Sequence, residues 1–176
     1  RGGQAGGAAD RGDSRAREDL AAVAAQIVTA ERIPIGADHA GFELKEKLKG
    51  VLTELGYDVE DVGTHSAASV DYPDYAHPVA REVETGMARR GVLLCGTGLG
   101  MAYAANRHPH VRAAVAWNTE VAAFSLLHHD ANIPVLPARC IRDAEGLDLL
   151  TTRLDTPLAR RRHDRRRAQI APDGAH

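Results

Sequence analysis

The sequence predicts an α/β fold in which a sheet of five parallel strands is covered by helices on both faces. From residue 32 onward, short apolar stretches alternate with longer segments of helical periodicity. This alternation is typical of parallel sheets, because each helix returns the chain to the edge where the next strand starts. Aromatic residues make up only 4% of the 176 residues, so the core must consist mainly of Ala, Val, Leu and Ile.

Five short apolar segments predict the strands, and a turn or helix signal follows each of them. The third, GVLLC, ends directly before a run of glycines. The predicted strands span 32–37, 57–63, 91–95, 111–117 and 132–138. The carboxyl ends of parallel strands share one edge of the sheet, and ligands of such folds bind beyond that edge. The residues expected there are Asp38, His39, Cys95, Gly96 and Thr97.

Helical spacing and stop signals predict the helices between these strands. Leu44, Leu48 and Leu55 belong to one apolar stripe, and Gly56 behind them is typical of a helix C-terminus. In DYPDYA, a proline marks the start of the next helix. The predicted ranges are 44–55, 71–90, 98–108, 118–130 and 143–154.

Both ends of the chain differ from this regular part. Residues 1–31 are rich in Gly, Ala and opposed charges, which predicts disorder, although their second half favours a helix. We therefore expect an extension at 1–31, a domain at 32–170 and a tail at 171–176.

Bulk properties exclude several classes of function. A net charge of −2 does not favour nucleic acid as a partner. No apolar run approaches the ~20 residues that a membrane span requires, and no signal-peptide pattern is present. Two cysteines do not make a disulfide framework, so the expected location is the cytoplasm.

The run CGTGLGM at 95–101 has several interpretations. A dinucleotide fingerprint requires a third glycine where Met101 stands, and a P-loop requires a lysine that the run lacks. A tight turn between strand and helix and an anion-binding loop both remain. In an anion-binding loop, glycines let backbone N–H groups approach a phosphate or a developing oxyanion at the start of a helix.

Cys95 stands where the third strand meets this loop. A lone cysteine is commonly a small buried hydrophobic residue. A position beside a helix N-terminus favours the thiolate, however, and Thr97 is placed to donate a hydrogen bond to it. Cys95 and Thr97 are therefore a candidate proton-abstracting pair.

Asp38, His128 and His129 are further candidates. Asp38 follows the first strand and is either a helix cap or a chemically active carboxylate. His128 and His129 close the fourth helix, where adjacent side chains point in different directions, so a shared metal is not expected. The chain has neither the HExxH pattern nor a cysteine pair, which gives a metal site little support.

Six arginines lie between residues 160 and 167, and they form either a solvated charged segment or a phosphate site. Arg162 and Arg166 are four residues apart, on one face of a helix. Two guanidinium groups on one face suit a phosphomonoester. Aromatic residues are not interleaved with the arginines, which argues against nucleic acid.

Together these motifs resemble one family. IGADHAGFELK, DYPDYA, CGTGLGMAYAAN, the helix-ending His128 and RHDRRR, in this order, are similar to the ribose-5-phosphate isomerase B / galactose-6-phosphate isomerase family over about residues 32–170. The resemblance implies a Rossmann-like αβα sandwich, a phosphorylated sugar as substrate, and no metal or cofactor. It also implies a homodimer, or a tetramer, whose active sites lie at the subunit interface.

The resemblance also assigns residues by position. Cys95 matches the base that moves a proton between C1 and C2, and Thr97 matches its hydroxyl partner. His128 matches the acid that opens the sugar ring, with the assistance of Asp38. The remaining matches are substrate contacts, some from the neighbouring subunit: His39, Tyr72, Gly96, Gly98, Leu99, Gly100, His129, Arg139, Arg162 and Arg166.

The chain departs from the family pattern at two places. His129 stands where the family usually has Asn, and Pro137 with Ala138 replaces a glycine-containing pair before Arg139. Met101 stands where some members carry a glutamate base, so this chain is of the cysteine type. The resemblance predicts isomerisation of ribose 5-phosphate. The alternatives are a tetrose, allose or galactose phosphate as substrate, or a sugar-phosphate binding protein with impaired catalysis.

Overall fold

A computed structural model describes residues 30–157 and 163–170 of the chain. In this part of the chain the strands are β1 Arg32–Ala37, β2 Asp58–Gly63, β3 Val92–Cys95, β4 Ala113–Val115 and β5 Ile133–Pro137. They form one sheet in the order β2-β1-β3-β5-β4, and all neighbours are parallel. The predicted five-stranded parallel sheet is confirmed. The predicted tail at 171–176 and all but the last two residues of the predicted extension at 1–31 lie outside the described residues.

Helices connect and cover the strands. Within the described ranges they are α1 Phe42–Glu54, α2 Pro73–Glu84, α3 Leu99–Ala105, α4 Thr119–Leu127, α5 Asp143–Asp155 and α6 Asp164–Ala168. No helix in these ranges is both long enough and apolar enough to cross a membrane. The alternation of strand and helix predicted from the sequence is therefore present from β1 to α5.

A hydrophobic core fills each face of the sheet. α1, α4 and α5 contribute to the first core, and α2 and α3 to the second. Successive side chains of β3 alternate between the two, with Leu94 in the first core and Leu93 in the second. Full burial of an aliphatic side chain of this size contributes about 1.5–3 kcal/mol to stability. Burial of apolar side chains therefore stabilises the packing of the helices on both faces of the sheet.

Several elements are shorter than the sequence predicts. β4 covers only Ala113–Val115 and pairs with β5 alone, and α3 and α4 cover only Leu99–Ala105 and Thr119–Leu127. α2 ends at Glu84 rather than near residue 90. Gly86 follows with a φ of 74°, a left-handed conformation that commonly ends helices.

The turn before α1 packs directly on β3, and this contact generates a test of the fold. A β-carbon on residue 41 would stand 2.7 Å from Leu94 Cβ and 3.0 Å from the Leu94 carbonyl oxygen. We expect Gly41→Ala to lower the free energy of unfolding by about 1–3 kcal/mol, because neither contact can relax without a backbone shift. Denaturant unfolding measures the loss.

Gly50→Ala is the matched control. Gly50 lies inside α1, and a β-carbon there would meet no atom within 4 Å. This substitution should raise the free energy of unfolding by about 0.5–1 kcal/mol, since alanine restricts the unfolded chain and favours helix. Equal stabilities for the two variants would contradict the packing described for Gly41.

Candidate active site

The carboxyl ends of β1 and β3 form a crevice where the first group of predicted site residues lies. β1 has β2 on one side and β3 on the other, so the chain leaves the two strand ends in opposite directions. A reversal of this kind opens the usual ligand site of parallel α/β sheets. Ala37 pairs with Leu94 at the end of the ladder, which brings Asp38 and Cys95 to the same edge.

The thiol of Cys95 contacts the glycine loop, which is residues 96–100 directly after β3. Cys95 is 5% exposed, and its Sγ accepts a hydrogen bond from the Gly98 N–H at 3.1 Å. Gly98 has a φ of 79°, which turns its N–H inward and strongly favours glycine at this position. The predicted hydroxyl donor, Thr97, is exposed, and among the described residues the bond to Sγ comes from the Gly98 amide instead.

Asp38 shapes the turn that leads into α1. Its Oδ1 accepts hydrogen bonds from the N–H groups of Ala40, at 2.9 Å, and Gly41, at 3.1 Å. Both amides precede α1, whose N-cap is Gly41 without a side-chain cap, so Asp38 stabilises the turn before the helix rather than capping the helix itself. The carboxylate is 8% exposed, so it combines a structural role with a position in the crevice.

His39 is oriented by the loop before α2. Its Nδ1 lies 3.3 Å from the N–H of Val70 and accepts its hydrogen bond. A neutral imidazole that accepts at Nδ1 carries its proton on Nε2. The Nε2–H of His39 is therefore a donor that this contact leaves available to a ligand.

Arg139 and Tyr72 flank the glycine loop. The N–H of Arg139 donates to the Gly96 carbonyl at 3.0 Å, and its side chain lies so close that a β-carbon on residue 96 would be 3.2 Å from Arg139 Cδ. A β-carbon on Gly100 would be 2.8 Å from Tyr72 Cζ. A guanidinium and a phenol thus border a loop whose glycines allow their close approach.

The second group of predicted residues lies at the amino ends of the strands, which form the amino edge of the sheet, opposite the carboxyl edge. α4 begins after β4 and runs back to the start of β5, and His128 is the residue that ends it. Asp130 accepts hydrogen bonds at 2.8 Å from Arg112, which directly precedes β4. The 9 residues of α4 span about 14 Å. Within one chain, His128 and Cys95 therefore do not share a site.

The ring of His128 is held between two other rings. It stacks on Phe124 with centroids 4.7 Å apart and on His163 with centroids 4.3 Å apart. His163 belongs to the motif RHDRRR, but the charge of that motif predicts a role only for its arginines. His129 and Arg166 are exposed near this stack, on the turn after α4 and on α6. Arg162 lies outside the described residues.

The groups at the carboxyl edge suit an anion and a transferable proton. Backbone amides of the loop, the Nε2–H of His39 and the guanidinium of Arg139 are all donors. In the part of the chain that the structure describes, no group of three or more His, Cys, Asp or Glu side chains converges on a metal position. A cysteine thiolate beside an anion-binding loop can take up a proton while the loop stabilises the resulting oxyanion.

The chain is similar in sequence and in fold to known proteins. The profile of the family described as ribose/galactose isomerase matches residues 33–170. Ribose-5-phosphate isomerase B of Escherichia coli is 40% identical over 119 residues, which are 68% of this chain and 77% of that protein. The crystal structure of a ribose 5-phosphate isomerase from Thermotoga maritima matches with a TM-score of 0.77 and 47% identity, over 80% of this chain and 97% of the other. Ribose-5-phosphate isomerase B of Mycoplasma genitalium, with bound ribulose 5-phosphate, gives a TM-score of 0.76 and 34% identity, over 79% and 93%.

The fold and these relatives define the class of the protein: it is an aldose–ketose isomerase. The parallel sheet, the glycine loop after β3 and the polar turn after β1 all belong to the matched region. The chain is a member of the ribose/galactose isomerase family.

Asp38 has two roles that substitution separates. Asp38→Asn keeps an Oδ1 acceptor for Ala40 and Gly41, so we expect the free energy of unfolding to change by less than about 0.5 kcal/mol. Asp38→Ala removes the acceptor and should cost about 0.5–2 kcal/mol. Thermal or denaturant unfolding of both variants measures this, with turnover recorded in parallel. If the asparagine variant is as unstable as the alanine variant, the role of Asp38 as hydrogen-bond acceptor in the turn before α1 is wrong.

Proposed function

We propose that this enzyme interconverts an aldose phosphate and a ketose phosphate, with ribose 5-phosphate and ribulose 5-phosphate as the substrate pair. The observation that carries the proposal is the Cys95 thiol, which is buried at the end of β3 and accepts a hydrogen bond from the Gly98 N–H of the glycine loop. The names of the relatives from E. coli and T. maritima and the ligand of the M. genitalium structure support this substrate.

The proposed chemistry is a proton transfer between adjacent carbons of the open-chain sugar. The Cys95 thiolate takes the proton from C2 and returns it to C1, while a proton moves from O2 to O1. The intermediate is a cis-enediolate whose negative oxygens are bound by the amides between Gly96 and Gly100. These amides supply the charge stabilisation, so the step requires no metal or cofactor. Thr97, exposed beside the loop, is the proposed hydroxyl partner that contacts the same oxygens.

The substrate phosphate is proposed to bind to cationic and N–H donors around the loop. The Nε2–H of His39 and the guanidinium of Arg139 lie at the carboxyl edge and suit an anionic oxygen. Arg162 and Arg166 are the proposed contribution of the arginine-rich segment. Tyr72, directly before α2, and Leu99, the first residue of α3, are both exposed and are proposed to contact the sugar.

Ring opening requires an acid, and we assign it to His128 of a second chain. His128 and Cys95 lie at opposite edges of the sheet within one chain, so a site that contains both needs two chains. In a two-fold symmetric dimer each chain presents the same surface to the other. The amino edge of one chain, with His128, His129 and Arg166, then meets the carboxyl edge of its partner.

Exposed apolar side chains support this homodimer. Large hydrophobic groups on soluble monomers are usually covered, and a cluster of them commonly marks an interface. Tyr103 on α3 is 67% exposed, and Trp117 at the end of β4 is 58% exposed. Phe124, which stacks on His128, is 42% exposed. These three side chains lie on α3, directly after β4 and on α4, so all of them are close in sequence to the edge strand β4.

His129 favours a second candidate, an aldose phosphate of different chain length. It is exposed beside His128 and is proposed to donate to the enediolate from the partner chain. An imidazole carries one donor on a neutral ring and differs in reach from an amide. Tetrose, allose and galactose phosphates are therefore the substrates to compare with ribose 5-phosphate.

The role of Cys95 is tested by substitution. We expect Cys95→Ala to reduce kcat by ~10²–10⁴-fold, the usual contribution of a general base. KM should change little, because the phosphate and loop contacts remain. Isomerase assays over the panel of aldose phosphates measure both constants and identify the preferred substrate.

Cys140→Ser is the matched control for that measurement. Cys140 is the other cysteine of the chain, it is exposed, and it lies outside the loop that holds Cys95. It should retain parental turnover. Near-parental kcat in Cys95→Ala, or activity on none of the aldose phosphates for the parent enzyme, would contradict the proposed function.

The two-chain site predicts complementation between inactive variants. Cys95→Ala and His128→Ala should each lose activity, but a mixed dimer contains one site with both groups intact. Random pairing of co-expressed chains makes about half of the dimers mixed, so about a quarter of the parental activity should return. A titration of the expression ratio measures this. If the mixture stays as inactive as its components, both groups act within one chain.

A further inference from the structure

A cavity lies at the amino edge of the sheet, away from the glycine loop. It has a volume of about 310 Å³ and opens between the ends of α4 and α5 and the loop before β3. Its polar lining includes Arg89, Arg90, Asp130, Arg153 and Asp155. Neither the isomerase chemistry nor the proposed phosphate contacts use any of these side chains.

Arg153 is the unusual member of this lining. It is 3% exposed, and its guanidinium donates through Nη2 to the Ala131 carbonyl. Its Nε is buried and has no hydrogen-bond partner in the described part of the chain. Burial, and then the positive charge of Arg90, lowers the pKa of Arg153 to about 10, so the group is still a cation at neutral pH. A buried donor of this kind is costly unless a ligand or water satisfies it.

The acidic groups nearby are already engaged. Glu31 binds Arg90 through both oxygens, at 2.7 and 2.9 Å. Asp130 is paired with Arg112 at 2.8 Å. Each of these two ion pairs is neutral. The charges of the cavity lining that remain are the guanidinium groups of Arg153 and the exposed Arg89, and the exposed carboxylate of Asp155 at the rim. The cavity therefore has an excess of positive charge, and Arg153 in its wall has a buried N–H without a hydrogen-bond partner in the described part of the chain.

We propose that this cavity binds the phosphate group of a small metabolite between Arg153 and Arg89. A phosphate group has enough oxygens to accept hydrogen bonds from two guanidinium groups at once. A carboxylate has only two oxygens, and a single guanidinium fork already occupies both. Phosphate bound here would stabilise the folded chain at the turn that joins α4 to β5, because that turn supplies Ala131 and Asp130.

Protection of Arg89 from phenylglyoxal tests the site directly in the full-length protein. Inorganic phosphate at about ten times its Kd should slow modification of Arg89 about tenfold, because only about a tenth of the sites stay empty. Peptide mass spectrometry resolves each arginine. Arg81, an exposed arginine of α2 on the other face of the sheet, is the internal control and should react at an unchanged rate.

Three variants decide the outcome. Arg153→Met should abolish the protection of Arg89, whereas Arg139→Ala, which alters the proposed catalytic phosphate site, should leave it intact. If Arg153→Met does not fold, Arg89→Ala replaces it, and the rise in Tm caused by phosphate should be smaller than in the parent. Protection that survives Arg153→Met, equal protection by acetate, or no protection of the parent would overturn the proposal.

Discussion

Every strand of the sheet runs in the same direction, and this constraint divides the polar groups of the chain into two sets. Loops that leave strands open on one edge, and loops that return from helices open on the other. Cys95 is the last residue of β3, and His39 lies in the turn after β1. His128 follows a helix. No local rearrangement brings the two sets together, because the length of α4 and the parallel pairing of β4 with β5 hold them apart.

Much of the fold could be predicted from the sequence because its signals are local. Apolar runs, a proline at a helix start and glycines at helix ends each act within a few residues. The end of β4 and the end of α2 could not be predicted as well. Where these two elements end depends on pairing and packing in the assembled sheet, and not on the residues of the segment alone.

The candidate site likewise has a part that could be predicted from the sequence and a part that could not. The order of strand and helix predicted that Asp38 and Cys95 would meet, since both follow strands that become neighbours. The separation of His128 from Cys95 also follows from that order, but it can be recognised only from the assembled sheet and the direction of α4. The donor to the thiol could not be foreseen, because the N–H of Gly98 points inward only through a left-handed backbone conformation. His163 was missed because stacking between rings distant in sequence leaves no periodic signal.

The distance between His128 and Cys95 in one chain has a consequence for enzyme concentration. Under the proposed pairing, a newly made chain holds a base without its acid and is silent until it finds a copy of itself. Below the dissociation constant of the dimer, the rate would then rise with the square of total enzyme rather than in proportion to it. Cells that make little of the protein would have almost none of its activity, and modest increases in synthesis would be amplified.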